Sequence, residues 1–291
     1  MALSTAFLQH IAIQIESATG SKHRINYAKQ VNGGDINFAY RVYTDTESFF
    51  IKVNSANEYP DIFSLEAKGL KSLGEVAPPV LGTGTYENLG YLLLPWISSG
   101  NNDNKAQENL GRRLADLHRK HNLSFGLNYN NYIGRLSQLN TPKQNWSEFY
   151  IQNRLNYQLL IAEKNKLADA ILFKKFQLLF NKLDQLFPVE PAALLHGDLW
   201  SGNYIIATDS VPILIDPSIY YGHREMDIAM SALFGGFETA FYNAYNESFP
   251  LQAGWQERLP LWQLYPLLVH LNMFGTSYLP SVHTALDKFI S

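Results

Sequence analysis

His196-Gly197-Asp198-Leu199-Trp200-Ser201-Gly202-Asn203, followed past two short apolar runs by Ile215-Asp216, is the stretch on which the reading of this chain turns. Asp198 and Asn203 stand five apart on a loop, and a second carboxylate, Asp216, comes just after the next strand. This spacing suits phosphoryl transfer to a hydroxyl. Asp198 is expected to accept the proton of the attacking hydroxyl, while the Asn203 amide oxygen and the Asp216 carboxylate hold Mg2+, a hard cation that takes oxygen ligands. A short rigid loop can aim Asp198 at the acceptor while Asn203 turns back to the metal. His-Gly-Asp also suits a plain turn, and Asp216-Pro217 a turn start. Their occurrence together at these spacings favours chemistry.

A phosphate donor needs its own grip, and the pattern upstream supplies one. Lys52 lies in the strand-like run Ser48 to Val53 (SFFIKV), where alternation puts it with Phe50 on the face opposite Ile51 and Val53. Glu66, on the helix that follows Pro60, is the carboxylate available to orient a Lys that holds the α- and β-phosphates of ATP. Asn32-Gly33-Gly34-Asp35-Ile36-Asn37 precedes the strand Asn37 to Tyr43. Gly33 and Gly34 let backbone N–H groups approach phosphate, although the segment falls short of G-x-G-x-x-G. Asp35 would repel a triphosphate and is expected to point away. The Walker sequence, H-E-x-x-H and G-x-S-x-G are all missing. His118 and His121, three apart at a helix end with no third ligand nearby, read as surface or packing residues.

Composition narrows the classes. The 291 residues are 46% hydrophobic and 17% charged, which describes a folded globular chain. A net charge of −3 gives no basic field for nucleic acid or an anionic membrane. With no cysteine, disulfides, thiolate metal sites and thiol nucleophiles are excluded. The N-terminus has no signal-peptide pattern and no run approaches the ~18 apolar residues of a membrane helix, so a cytoplasmic chain is expected.

The order of elements points to an α+β chain in two lobes. Ala6, Phe7, Ile11 and Ile15 predict a helix closed by Gly20, and two aromatic strands then form a hairpin through Thr44 to Glu47. A helix runs from Pro60 to Gly74, and a strand from Tyr91 to Leu94. Residues 1–97 should form a β-rich N-lobe with the nucleotide-binding sheet and glycine loop. The polar run Ser98 to Asn104 reads as a linker, and residues 98–291 as a helical C-lobe with the catalytic loop and substrate site. Helical periodicity marks Trp146 to Ala162, Leu167 to Phe187 and Leu261 to Phe274.

Taken together, Gly33-Gly34-Asp35-Ile36-Asn37, Phe50-Ile51-Lys52-Val53-Asn54, Glu66-Ala67-x-Gly69-Leu70, Asn131-Tyr132-Ile133-Gly134, His196 through Asn203, and Tyr221-Gly222-His223-Arg224-Glu225-Met226-Asp227 resemble the fructosamine/ketosamine 3-kinases. That family shares the bilobal fold of the aminoglycoside phosphotransferases and, more distantly, the protein kinases. The resemblance implies ATP- and Mg2+-dependent phosphorylation of the 3-hydroxyl of a ketosamine, the adduct of a sugar and an amine. The 3-phosphate is labile, so the amine is restored, either a small amine or a protein lysine. It points to ribulosamine- or erythrulosamine-type substrates at least as much as to fructosamine. By the same resemblance Pro95, Trp96 and Ile97 form the hinge that pairs with adenine, through the Pro95 carbonyl and the Ile97 N–H. Some relatives carry a cysteine in the glycine loop, where this chain has Asp35. Trp200, beside Asp198, would wall the sugar-amine adduct. The alternative is a kinase of the same fold acting on an aminoglycoside, choline or a sugar. Oligomeric state is not legible.

Overall fold

The computed structural model describes residues 2–31 and 37–290. Helix α1 (Thr5–Thr19) starts where Ser4 Oγ accepts the Phe7 N–H at 3.1 Å, and it stops at Gly20, whose φ of 75° suits only a residue without a Cβ. Its Phe7, Ile11 and Ile15 stripe packs on one face of a five-stranded antiparallel sheet. The strands are β1 (Ile25–Val31), β2 (Phe38–Thr44), β3 (Ser48–Ser55), β4 (Gly82–Tyr86) and β5 (Leu89–Pro95), in the order β1-β2-β3-β5-β4. Register pairs Ala39 with Lys52 and Lys52 with Leu92. Lys52 therefore stands on the face away from α1, as alternation along the strand requires.

Against that second face lies α2 (Ile62–Leu73), and with it the second core, which joins Leu92 and Leu94 of β5 to Leu110 and Leu114 of α3 (Asn104–His118) and to Leu194, Leu199 and Ile206. Apolar packing is thus continuous across residue 97. The run Ser98 to Asn104, expected as a linker, is fastened instead: Gly100 N–H donates to the Ile206 carbonyl at 2.7 Å, and Asp103 caps α3 through Ala106 N–H at 2.9 Å.

The rest is mostly helical, with three small sheets. Strands β6 (His121–Asn122), β9 (Ala192–Leu195) and β12 (Tyr220–Gly222) form one, in the order β12-β9-β6. The hairpins β7–β8 (Asn131–Ile133, Leu136–Gln138) and β10–β11 (Tyr204–Ile206, Pro212–Leu214) form the others. Helices α4 (Trp146–Phe149), α5 (Tyr157–Lys164), α6 (Ala170–Phe180), α7 (Glu225–Leu233), α8 (Thr239–Ser248), α9 (Trp255–Phe274) and α10 (Leu279–Ile290) complete it. Most of them surround a third core centred on Trp146, Tyr150 and Trp262. Among the described residues no helix is long and apolar enough to cross a membrane.

Two helix expectations need correcting. The helix over Trp146 to Ala162 is interrupted by a π-helical stretch, Tyr150–Asn156, in which the buried Arg154 donates to Leu139 and Asn140. The helix over Leu167 to Phe187 is shorter, since Asp169 caps it and it stops at Phe180. Strands β1 and β4 were not anticipated, because INYAKQV and GTGTY carry little apolar alternation.

Candidate active site

Buried strand β9 (AALL) delivers the chain to His196. Gly197 then turns at φ 84°, where a Cβ would overlap the Ser218 carbonyl, so only glycine serves. The turn is clamped by Asp227 of α7: its Oδ2 accepts the His196 N–H at 2.7 Å and its Oδ1 the Gly197 N–H at 2.9 Å. His118 Nε2 lies 3.1 Å from the same Oδ2. Burial pushes the Asp227 carboxyl up, but the His118 hydrogen bond and the other donors outweigh it and hold the group below its ordinary value, charged. The His196 ring lies within the loop. Its Nε2–H donates to the Ile215 carbonyl at 2.9 Å, which leaves Nδ1 to accept the Asp198 N–H at 3.3 Å. One imidazole so ties the Asp198 turn to the strand end that carries Asp216, and burial keeps it neutral by lowering its pKa.

Asp198 projects from this turn into a cleft that Asn37, Lys52, Glu66, Trp200, Asn203 and Asp216 also line. Asn203 Nδ2 donates to Asp198 O at 2.9 Å and to Asp198 Oδ2 at 3.0 Å, so the Asn203 amide oxygen takes no part in holding the loop. Burial, and then the charge of Asp216, raise the Asp198 carboxyl to about 7 against the opposing Asn203 bond. Carboxyls poised near neutrality in a cleft are suited to moving a proton. Trp200, 40% exposed, lies over Gly202, where any Cβ would overlap the indole.

Lys52, 6% exposed, donates to Glu66 Oε1 at 2.8 Å and also pairs with Asp216. Burial alone would lower the Lys52 pKa, but the charges of Asp216 and Glu66 outweigh it and hold the ammonium firmly protonated. Burial raises the Glu66 carboxyl to about 7, partly opposed by Lys52. Helix α2 brings Glu66 this close because Gly69 passes over Pro217, whose Cγ would lie 3.1 Å from an added Cβ. Asp216 sits at φ 54°, a left-handed conformation that Asp tolerates better than most residues.

The structure therefore brings together Lys52, Glu66, Asp198, Trp200, Asn203 and Asp216, with Asn37 at the edge, where its Oδ1 accepts from Asn54 Nδ2 at 2.8 Å. Gly33 and Gly34, with Asp35, lie outside the described residues. Pro95, Trp96 and Ile97 do not line this cleft. They border a second groove with Leu70, Pro79 and Ile213, and the Trp96 N–H donates to Ser48 O at 3.2 Å. Asn203 and Asp216 supply hard oxygen atoms at the cleft, a donor set that fits Mg2+, which takes one or two protein ligands and completes its shell with water and phosphate. Among the described residues there is no group of three or more His, Asp or Glu that could hold a metal by itself.

Two residues of the site were given no role from the sequence, although Asp227 ends the quoted run Tyr221 to Asp227. His118 is wholly buried rather than on the surface, and it braces Asp227 while its Nδ1 lies 2.8 Å from Tyr245 Oη. Asp227 ends a run, HREMD, of four charged or ionisable residues that all turn out buried. Such a density of polar groups in an apolar neighbourhood was the available clue. Tyr132, Ile133, Met230, His270 and Phe274 also line the cleft; the first two stand in the quoted run Asn131 to Gly134, and the last three gave no signal in the sequence.

The profile of the family described as fructosamine kinase matches residues 7–291. A Lactiplantibacillus plantarum protein named "Probable ketoamine kinase" is 41% identical over 91% of this chain and 95% of its own length. The protein-ribulosamine 3-kinase of Arabidopsis thaliana chloroplasts is 37% identical over 93% of this chain and 85% of its own. A Thermobifida fusca crystal structure assigned as a candidate fructosamine-3-kinase superposes with a TM-score of 0.86 at 32% identity, covering 96% of this chain and 98% of that one. An aminoglycoside phosphotransferase crystallised with AMP-PNP and hygromycin B shares the fold, with a TM-score of 0.62 at 14% identity over 96% of each chain.

Proposed function

The chain belongs to the fructosamine kinase family, and from that premise we propose that it transfers the γ-phosphoryl group of ATP to the 3-hydroxyl of a ketosamine, so that the phosphorylated adduct breaks down and frees the amine. The observation that carries this reading is the placement of Asp198, held by Asn203 Nδ2 at 3.0 Å, in one cleft with Lys52, Glu66 and Asp216.

In this reading Lys52, oriented by Glu66, holds the α- and β-phosphates, and Gly33, Gly34 and Asn37 are assigned to nucleotide binding from the sequence. Asn37 lines the same cleft. Pro95, Trp96 and Ile97 receive the adenine. Asn203 and Asp216 hold Mg2+, which when bound offsets charge on the β- and γ-phosphates. The Lys52–Asp216 pair then exchanges carboxylate contacts for phosphate ones. Asp198 accepts the proton from the sugar O3, the oxygen attacks the γ-phosphorus, and the bond to the β–γ bridging oxygen breaks to release ADP. Trp200 supports the apolar face of the adduct. Among the residues lining the cleft the carboxylates are Glu66, Asp198 and Asp216, all on the nucleotide and catalytic side. A polycationic acceptor such as an aminoglycoside would find no complementary charge.

The test is ADP release with Mg-ATP and a panel of fructosamine, ribulosamine and erythrulosamine adducts, together with aminoglycosides and choline. Turnover confined to ketosamines, with the new phosphate on O3 by NMR, is expected. Turnover only of an aminoglycoside or choline would overturn the assignment.

A further inference from the structure

Eleven large hydrophobic side chains are exposed among the described residues, and two of them, Trp200 and Phe274, line the cleft. A third, Phe234, is linked to Phe274 through His270. Its ring centroid lies 4.7 Å from Phe234, 5.4 Å from Phe274 and 5.1 Å from Tyr278. Trp200 and Phe274 both line the cleft, as does His270. The glycines after Phe234 pass close to the loop that carries Trp200. The carbonyl of Gly236 accepts from Tyr204 Oη at 2.8 Å, and its Cα lies so close to Ser201, the neighbour of Trp200, that a Cβ would overlap that side chain. The His270 Nδ1 carries its proton, since it donates to the Pro266 carbonyl at 2.7 Å. Burial lowers the His270 pKa, so the ring is neutral and adds apolar and aromatic surface rather than charge.

The chemistry of the acceptor says what this surface meets. In a ketosamine only three carbons, C1 to C3, lie between the amine and the reacting O3. With O3 at Asp198 and the phosphates at Lys52, the substituent on the amine must leave the cleft on the side opposite the Lys52–Glu66 pair. That side is the aromatic rim, and it carries no carboxylate. We propose that Phe234, Phe274 and Tyr278, grouped around His270, together with Trp200 of the same cleft, form a subsite for an apolar or aromatic substituent on the substrate amine. The rim rings also stabilise the adduct's secondary ammonium through their faces. The inference rests on the ketosamine reading above and adds to it a preference for the carrier.

Three adducts of one sugar, on methylamine, butylamine and phenethylamine, test it. In the wild-type protein kcat/KM should rise from the methyl to the phenethyl adduct by about tenfold, chiefly through KM, the size expected from partly burying one ring. In Phe274→Ala and in Phe234→Ala the ratio should fall to about threefold or less. The ratio is read within each variant, so a loss of folded protein cancels from it. A ratio near one in the wild type, or a ratio undiminished in both variants, would overturn the subsite while leaving the ketosamine reading intact. Turnover of none of the adducts would overturn that reading, and the subsite with it.

Discussion

At the scale of the residue, the site depends on charge held in place by burial. Asp198→Asn keeps shape and removes the proposed base, so kcat on a ketosamine should fall by about 10²–10⁴-fold with little change in Mg-ATP affinity. Near wild-type kcat in that variant would remove Asp198 from the reaction. Lys52→Ala acts on the other partner. It should impair turnover and abolish the rise in melting temperature that Mg-ATP gives wild type. Because Lys52 contacts both Glu66 and Asp216, its loss leaves two carboxylates facing each other, so some loss of stability without nucleotide is expected as well. Trp200→Ala should raise KM for a ketosamine far more than it weakens ATP binding. Equal losses of both would mean that the indole only packs on Gly202.

At the scale of the element, helices α3 and α8 are held at backbone contact by Gly111. A Cβ there would overlap the Phe241 carbonyl and crowd the Tyr245 N–H. Backbone cannot move aside as a flexible side chain can, so Gly111→Ala should destabilise the protein by about 1–3 kcal/mol, read from urea melts. The same change displaces Tyr245, whose hydroxyl meets His118, which in turn braces the Asp227 clamp on the catalytic turn. A drop in kcat should therefore accompany the destabilisation under conditions where the variant is fully folded. A stable Gly111→Ala variant would mean that the two helices can part without cost. The β7–β8 hairpin is fixed to the site by a comparable buried network, in which Asn131 Nδ2 donates to Ile219 O and Gln138 Nε2 to Ser218 O, each at 2.9 Å.

At the scale of the whole molecule, one buried ion pair links the segment before β9 to the start of α7. Arg224 donates to Glu190 through Nε at 2.8 Å and Nη2 at 2.9 Å, and it also reaches the Phe249 and Pro250 carbonyls. Burial pushes the Glu190 carboxyl up, but the Arg224 hydrogen bonds outweigh it and hold it below its ordinary 4.5. A carboxyl whose folded pKa is depressed adds stability above its unfolded value, and that contribution is lost as pH falls through the folded value. Glu190→Gln should therefore lower stability at pH 7 by about 3 kcal/mol. The gap to wild type should narrow as pH drops below 4.5. A gap that stayed constant with pH would show that the loss comes from packing and not from charge.

Much of the site was legible in the chain because its parts are chemically specific and locally spaced. HGDLWSGN and the Asp216 that follows lie within one stretch, and Lys52 and Glu66 are 14 residues apart, on a strand and the helix after it. Residue type and spacing are covalent properties, so they survive in a one-dimensional reading, as do the α1 stripe and its Gly20 stop. The sequence by itself determined the α+β class, the family and the chemical kinds of group at the centre. Strands β1 and β4 escaped because their pairing depends on the partners β2 and β5 offer rather than on their own alternation. His118 escaped because its partner Asp227 is 109 residues away. The π-helical stretch around Arg154 answers to carbonyls on the neighbouring segment. Only the tertiary structure decided which carboxyls are raised toward neutrality, which imidazoles stay neutral and which rings rim the cleft. Desolvation and charge pairing are set by whatever the fold brings alongside a group, and spacing along a chain carries no record of that.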